Sequence, residues 1–229
     1  MNNIREYVLC RDDIFYFIVN YLDIELKGFQ IDMLSKLLDL QTGKTENILG
    51  HRGCGLTTIS CIYALWRSLF YPGSNIAFYV PNAMSARNIE NVFEHLYDSV
   101  VRKWDNSQTR YSIDNRREKY IKFDNKSYFY FFYTKEQMRG NHVDTIFYDS
   151  PYLGPGNAEV FKLTAPCGYN YVILNTFLPP EEHELEKVGT LTTYPWYCDA
   201  NLTQNWYLTM LNSLGNADFL LKYGCTRGT

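Results

Sequence analysis

A glycine-rich segment in the first quarter of the chain carries the residue types best suited to chemistry. Gly50, Gly53 and Gly55 precede Thr57, and an apolar run continues to Trp66. Glycines allow a tight turn and a close approach of the backbone to a ligand, and the free N–H groups at a helix N-terminus favour an anion. The spacing Gly-x4-Gly-x-Thr matches the phosphate-binding template G-x-x-x-x-G-K-[ST] except at the lysine. The segment therefore predicts a strand, a phosphate-binding loop (the P-loop) and a helix.

The missing lysine is the main departure of the P-loop from its template, since that position is Leu56. A lysine there would contact the β- and γ-phosphates of a nucleotide. Arg52 is the nearest cation, and its guanidinium offers a fork for phosphate oxygens. Thr57 is predicted to hold Mg²⁺ through its hydroxyl. The candidate nucleotide-binding residues of the loop are Gly50, His51, Arg52, Gly53, Cys54, Gly55, Leu56, Thr57 and Thr58. A glycine turn without a ligand is the alternative that this stretch leaves open.

Two polar side chains outside the loop are candidates for contacts with the same nucleotide. Gln30 lies off the apolar face of a helix predicted over 26–38. Its amide can pair with both a donor and an acceptor on an adenine edge. Asp149 ends an apolar strand predicted over 143–149. P-loop enzymes hold Mg²⁺ with a carboxylate at such a place. The alternatives are a solvated glutamine and an aspartate that caps the next turn.

A second Gly-Lys-Thr tripeptide, Gly43-Lys44-Thr45, is not a phosphate loop. The template requires a glycine where this sequence has Leu38, and an apolar strand follows instead of a helix.

Length and composition predict one domain. The 229 residues can bury a substantial core, and the net charge of −3 does not indicate a broad basic surface for nucleic acid, although a local basic patch could still contact phosphates. The six cysteines form no C-x-x-C pair, and no signal segment stands at the start, so reduced thiols inside a cell are expected. No apolar run is long enough to span a membrane.

Hydrophobic periodicity predicts alternating strands and helices interrupted by one hairpin. Helices are predicted over 11–22, 26–38, 56–66, 84–104, 158–165, 202–214 and 216–223. Strands are predicted over 46–50, 75–80, 143–149, 171–176 and 190–197, and a hairpin joins 119–123 to 127–133. The alternation favours a mainly parallel sheet with an inserted antiparallel hairpin.

Several segments together resemble the ATPase domain of the large terminase subunit, the DNA-packaging motor of tailed bacteriophages, with the T-even-like branch closest. They are Cys10-Arg11-Asp12-Asp13-Ile14 with Tyr16-Phe17, Leu26-x-x-Phe29-Gln30-x-Asp32-Met33-Leu34, His51-Arg52-x-x-Gly55-x-Thr57-Thr58, Met84-Ser85-Ala86, Arg139-Gly140-Asn141, the strand ending at Asp149, and Asn175-Thr176. The resemblance runs almost from end to end. It implies a P-loop NTPase of the ASCE or RecA-like type with three layers, and ATP and Mg²⁺ as cofactors.

The resemblance also assigns roles to single residues. Arg52 matches the early arginine of that branch's variant loop, which serves in some terminases that lack the lysine. Asp149 matches the Walker B aspartate and Arg139 a position that reaches a neighbouring subunit's site, although a solvated loop arginine is its alternative. Asn175 and Thr176 stand where the family has its coupling motif. Ser150 replaces the catalytic glutamate, and loss of a general base costs about 10²–10⁴-fold in rate.

The resemblance implies the domain organisation and the partners as well. Residues 1–45 are expected to form a helical edge, 46–180 the P-loop core and 181–229 the last part of one ATPase domain, with the nuclease domain absent. Double-stranded DNA, the portal protein, the small terminase subunit and a homo-oligomeric ring are the implied partners, in the host cytoplasm and at the procapsid portal, without a membrane. A degenerate homologue that regulates packaging without catalysis, and a helicase-like ATPase, are the other hypotheses.

Overall fold

The computed structural model describes residues 2–40, 43–104, 111–112, 120–138, 140–149, 161–162, 168–179, 181 and 184–227. The helices are α1 (Asn2–Asp12), α2 (Ile14–Phe17), α3 (Gly28–Leu38), α4 (Leu56–Phe70), α5 (Ala83–Lys103), α6 (Lys135–Met138), α7 (Gln204–Leu214) and α8 (Asn216–Phe219). The strands are β1 (Thr45–Gly50), β2 (Asn75–Tyr79), β3 (Tyr111–Ser112), β4 (Tyr120–Phe123), β5 (Tyr128–Phe132), β6 (Val143–Asp149), β7 (Gly168–Asn175) and β8 (Thr190–Tyr194). Two π turns span Ile18–Leu22 and Leu220–Gly224, and two 3₁₀ turns span Glu184–Lys187 and Trp196–Cys198.

The strands form one sheet in the order β3-β4-β5-β2-β6-β7-β1-β8. In this order, each neighbouring pair from β5 through β2, β6, β7 and β1 to β8 is parallel. The pairs β3–β4 and β4–β5 are antiparallel. Parallel strands end at the same edge, so the carboxyl ends of β1, β7 and β6 lie side by side. In the register of these three strands, Ile48 is level with Leu174, and Leu174 with Asp149. The topology thus brings the P-loop and Asp149 to one edge of the sheet.

Two apolar cores cover the two faces of the sheet. The larger core holds the buried sides of α3, α4 and α5 against residues such as Phe78 and Phe147, whose rings stack at 4.7 Å between centroids. The smaller core lies on the opposite face and includes Tyr148, Ile173 and Leu221. Because helical segments cover both faces, the central parallel strands β1, β2, β6 and β7 are largely buried on both sides, whereas the edge strand β8 is mostly exposed. The predicted α/β class with its mainly parallel sheet is confirmed.

The predicted hairpin is confirmed, and other element boundaries are corrected. The helix predicted over 11–22 is broken at Asp13, whose extended backbone and carboxylate cap α2 by accepting from the N–H groups of Phe15 and Tyr16. An aspartate can hydrogen-bond the following backbone in this way and so end a helical run. The strand predicted over 190–197 ends at Tyr194, since Pro195 has no N–H to donate. The helix predicted over 158–165 falls outside the described residues except for 161–162.

Within the described residues, no helix combines the length and the apolar character needed to cross a membrane.

The turn of the β4–β5 hairpin generates a stability prediction. The last carbonyls of a helix lack intrahelical partners, and the Asn125 amide donates to those of Ser68 (2.8 Å) and Leu69 (3.2 Å) in α4 while its oxygen accepts from Ser127 N–H. We expect Asn125→Ala to lower the free energy of unfolding by about 1–3 kcal/mol, because two partly buried carbonyls lose a donor. Urea unfolding measures the change. The neighbouring exposed Asp124→Ala is the control and should change stability by less than about 0.5 kcal/mol.

Candidate functional site

The P-loop connects β1 to α4 and has the backbone shape that its glycines were predicted to allow. Gly53 and Gly55 adopt left-handed conformations, with φ of 86° and 89°. A Cβ on Gly55 would lie 2.8 Å from Gln30 Nε2, and a Cβ on Gly50 would collide with Cys54 Sγ. The loop is therefore closely packed from behind. Leu56 begins α4, so the first N–H groups of a 15-residue helix face the loop.

Arg52 and Leu56 lie on opposite sides of the loop. Arg52 is exposed, and its guanidinium makes no ion pair with any carboxylate in the described part of the chain. Leu56 is 4% exposed, and its side chain packs into the larger core beside Gly50. The position of the template lysine is thus directed into the core, and Arg52 is the cation that the loop itself offers to an anion.

A buried polar network holds the loop from the side of β8. His51 N–H donates to the Tyr194 carbonyl at 2.8 Å, and His51 Nδ1 lies 3.1 Å from the same oxygen. Since a carbonyl only accepts, Nδ1 carries the proton, and Nε2 faces Asp199 Oδ2 at 3.9 Å. Asp199 is only 4% exposed and accepts from Lys27 Nζ at 2.5 Å. The Tyr194 hydroxyl donates to the carboxylate of Asp32 on α3.

The network fixes charges around the loop. Burial raises the pKa of Asp199, but the Lys27 ammonium and the Asn201 N–H more than offset that effect and hold the pKa below its usual range. Burial is the main cause that lowers the pKa of His51, against the opposing influence of the Tyr194 carbonyl and Asp199. At neutral pH the network therefore contains an anionic Asp199 and a neutral His51. No sequence signal points to Lys27 or Asp199, because the pair joins positions 172 residues apart.

Gln30 contacts the P-loop directly. Its Oε1 accepts from the N–H of Lys27 at 3.0 Å, and its Nε2 donates to the carbonyl of Cys54 at 2.9 Å. The side chain therefore braces the start of α3 against the loop. One hydrogen of Nε2 and one lone pair of Oε1 remain for another partner, so the predicted contact with a base stays a prediction.

Asp149 ends β6, two strands away from the P-loop strand β1. Strands lie about 4.8 Å apart, which puts Asp149 about 10 Å from β1 across β7. Burial, and next the Asp149 carboxylate, raise the pKa of the Cys61 thiol. Cys61 follows Thr57 by one helical turn and shares its face of α4. Asn175 is buried at the end of β7 and pairs with Leu49 of β1. Because β7 lies between β1 and β6, Asn175 lies between the P-loop strand and the strand that ends at Asp149.

The hydroxyl of Thr57 and the carboxylate of Asp149 are hard oxygen donors, which suit Mg²⁺. Among the described residues, no group of three or more histidines, cysteines and carboxylates could hold a metal ion without other ligands. Mg²⁺ commonly keeps several waters and binds phosphate oxygens, so one carboxylate and one hydroxyl fit it. Arg139 and Ser150 lie outside the described residues, and their roles stay predictions.

No protein-family model matches the sequence, and no curated protein is similar to it. Solved structures do match the fold. The large terminase ATPase domain of Thermus phage P74-26 gives a TM-score of 0.64 at 15% identity and covers 93% of this chain and 97% of that one. The fold is that of a large-terminase ATPase domain. The large terminase of thermophilic bacteriophage D6E, in complex with ADP, matches with a TM-score of 0.64 and 15% identity over 87% of this chain.

The match to the D6E large terminase covers 52% of that protein, so this chain spans about half its length. The HK97 bacteriophage large terminase matches less well, with a TM-score of 0.54 and 13% identity over 67% of this chain and 33% of that one. All three similarities are similarities of fold, and they confirm the predicted P-loop NTPase architecture.

The buried His51 generates a prediction of pH dependence. Its folded pKa lies below its ordinary value of 6.5, so the unfolded chain takes up a proton first as the pH falls below about 6.5. The free energy of unfolding should then decrease between about pH 6.5 and 5, and His51→Asn should reduce this decrease. Urea unfolding at several pH values measures it. His142→Asn, at an exposed histidine, is the control; an equal effect of both substitutions would contradict the assignment to His51.

Proposed function

We propose that the chain is the nucleotide-binding ATPase domain of a viral DNA-packaging motor, which binds Mg²⁺-ATP at the P-loop and couples it to translocation of double-stranded DNA. The observation that carries the proposal is the meeting of three features at one sheet edge. These are a left-handed glycine loop at the N-terminus of α4, the exposed side chain of Arg52, and Asp149 two strands away.

The nucleotide part of the proposal follows from how each group would act on a triphosphate. The loop N–H groups and the N-terminus of α4 favour phosphate oxygens, and Arg52 supplies a charged fork. Thr57 and Asp149 would hold Mg²⁺, which, when bound, neutralises charge on the β- and γ-oxygens. Gln30, already hydrogen-bonded to the loop, is the proposed reader of the base. The D6E large terminase has been solved with ADP and with ATP-gamma-S, which supports a nucleotide at this fold.

The motor part of the proposal rests on the fold and on the sequence resemblance. Double-stranded DNA, the portal protein and the small terminase subunit are the proposed partners, with a ring of copies as the working assembly. In that ring Arg139 would reach a neighbour's nucleotide, where an arginine finger is worth about 10³–10⁵ in rate. Asn175 and Thr176, next to the P-loop strand, would sense the nucleotide and pass its state on. The host cytoplasm is the proposed location.

A non-catalytic homologue that regulates packaging is the second candidate. The burial of Leu56 in the core favours it, because the position of the usual lysine contributes packing instead of charge. Ser150 at the general-base position also favours it. The two candidates differ in the rate of phosphate release from ATP. If Ser150 is the cause of slow turnover, Ser150→Glu should raise that rate by about 10²-fold or more. Turnover by the unchanged chain at a rate typical of ATPases would mean that another group serves as the base.

The role of Arg52 generates a binding prediction. Removing its charge-assisted hydrogen bonds should raise the Kd for Mg²⁺-ATPγS by roughly ten- to a hundredfold in Arg52→Ala. Isothermal titration calorimetry measures Kd for both proteins. Arg87→Ala, at an exposed arginine of α5, removes the same charge away from the loop and is the control. Equal Kd values for Arg52→Ala and the unchanged chain, or no binding by the unchanged chain at millimolar nucleotide, would contradict the proposal.

A further inference from the structure

The segment from Leu220 to Arg227, which we call the strap, contacts both the P-loop and the chain that follows β7. It begins with the π turn Leu220–Gly224 and leaves that turn at Cys225, whose φ of 53° ends the helical run. The Cys225 thiol lies 3.6 Å from the carbonyls of Leu49 and Tyr194, at the ends of β1 and β8. The strap therefore lies against the strand ends from which the loop starts.

Two carbonyls of the π turn accept hydrogen bonds from outside it. The last carbonyls of a helical turn have no partner within the turn. Leu221 O accepts from Leu178 N–H, and Lys222 O accepts from Arg52 N–H, both at 3.1 Å. Leu178 follows the predicted coupling residues Asn175 and Thr176 by two to three positions. The strap thus joins the P-loop to the segment behind β7 through adjacent carbonyls.

Arg227 anchors the far end of the strap. Its guanidinium donates to both carboxylate oxygens of Glu186, at 2.5 and 3.0 Å. It also donates to the carbonyls of Pro179 at 3.0 Å and Glu181 at 2.8 Å. A planar guanidinium engaged by four acceptors has little freedom to move. Arg227 therefore holds the far end of the strap and helps to keep Lys222 O against the loop.

We propose that Arg227 is a positioning residue that sets the affinity of the P-loop for phosphate, by holding the Lys222 carbonyl on the Arg52 N–H. The proposal rests on the proposed function, because it presumes that the loop binds phosphate. A carbonyl at the C-terminal end of a helical turn carries partial negative charge, so it occupies the N–H as a weak substitute for an anion. The single hydrogen of Arg52 N–H cannot point at both acceptors. Phosphate is the stronger acceptor and displaces the carbonyl.

The competition has consequences in both directions. A phosphate on the loop takes the Arg52 N–H from Lys222 O, so the strap loses one of its two adjacent backbone bonds and keeps the bond to Leu178 behind β7. Conversely, a strap that has lost its anchor competes less well and leaves the loop more open to nucleotide. Loss of Arg227 should therefore tighten nucleotide binding, whereas a purely structural contribution of Arg227 would weaken it. The sign of the effect separates the two roles.

The first measurement needs no nucleotide. Hydrogen exchange of the full chain should become faster at the amides of Arg52 and Leu178 in Arg227→Gln, and Glu186→Gln, which weakens the same anchor from its other partner, should act in the same direction. Lys162→Gln is the matched control, since Lys162 pairs with Glu184 at 2.7 Å on the same 3₁₀ turn without touching the strap. Unchanged exchange at the Arg52 amide in both anchor variants would overturn the proposed role of the strap.

The second measurement is the Kd for Mg²⁺-ATPγS by calorimetry. Arg227→Gln and Glu186→Gln should lower Kd by about three- to tenfold, because the backbone hydrogen bond that competes with phosphate for the Arg52 N–H is weakened. Lys162→Gln should leave Kd unchanged. Arg227→Lys keeps the charge but loses the planar fork, so its Kd should lie between those of the unchanged chain and of Arg227→Gln. Equal or weaker binding by both anchor variants would overturn this proposal while the proposed function stands. No binding by any of the proteins would overturn the proposed function, and the claim about affinity with it.

Discussion

Hydrogen bonding of the P-loop backbone is the constraint on which the site depends. A glycine loop at the end of a buried strand leaves N–H and C=O groups that neither the sheet nor α4 can pair, and buried groups of this kind need partners. The carbonyl of Cys54 receives the Gln30 amide, the N–H of His51 reaches Tyr194, and the N–H of Arg52 reaches Lys222. Three separate elements, α3, β8 and the strap, therefore hold one loop.

These supports explain why the loop can lose its template lysine and keep its shape. Leu56 adds to the larger core directly behind the loop, and the buried carboxylate of Asp199, paired with the partly exposed Lys27, stands beside it. Removing Lys27 would leave the buried charge of Asp199 without this partner, which is destabilising. The loop thus receives more polar contacts from other elements than a simple turn between a strand and a helix requires. This favours a functional loop over a turn without a ligand.

The elements of the fold could be predicted from the sequence because their signals are local. The apolar spacing in 84–104 predicts α5, and turn residues at 124–126 predict the hairpin, whose Asn125 then joins α4. The supports of the site could not be predicted in this way. The sequence marks Gln30 as a candidate for contact with a base, but its hydrogen bond to Cys54 depends on how α3 is placed against the loop. The bond from Arg52 to Lys222 joins two backbone groups, so no residue type marks it.

Binding of nucleotide phosphates by the P-loop is tested most directly by titrating the labelled protein with Mg²⁺-ATPγS and following its backbone amides by NMR. We expect saturable shifts that are largest at Arg52, Gly53, Gly55 and Thr57, whose N–H groups are proposed to bind the phosphates. Shifts confined to another site, such as the apolar groove beside Phe15 and Ile18, would contradict this expectation. So would an unchanged spectrum at millimolar nucleotide.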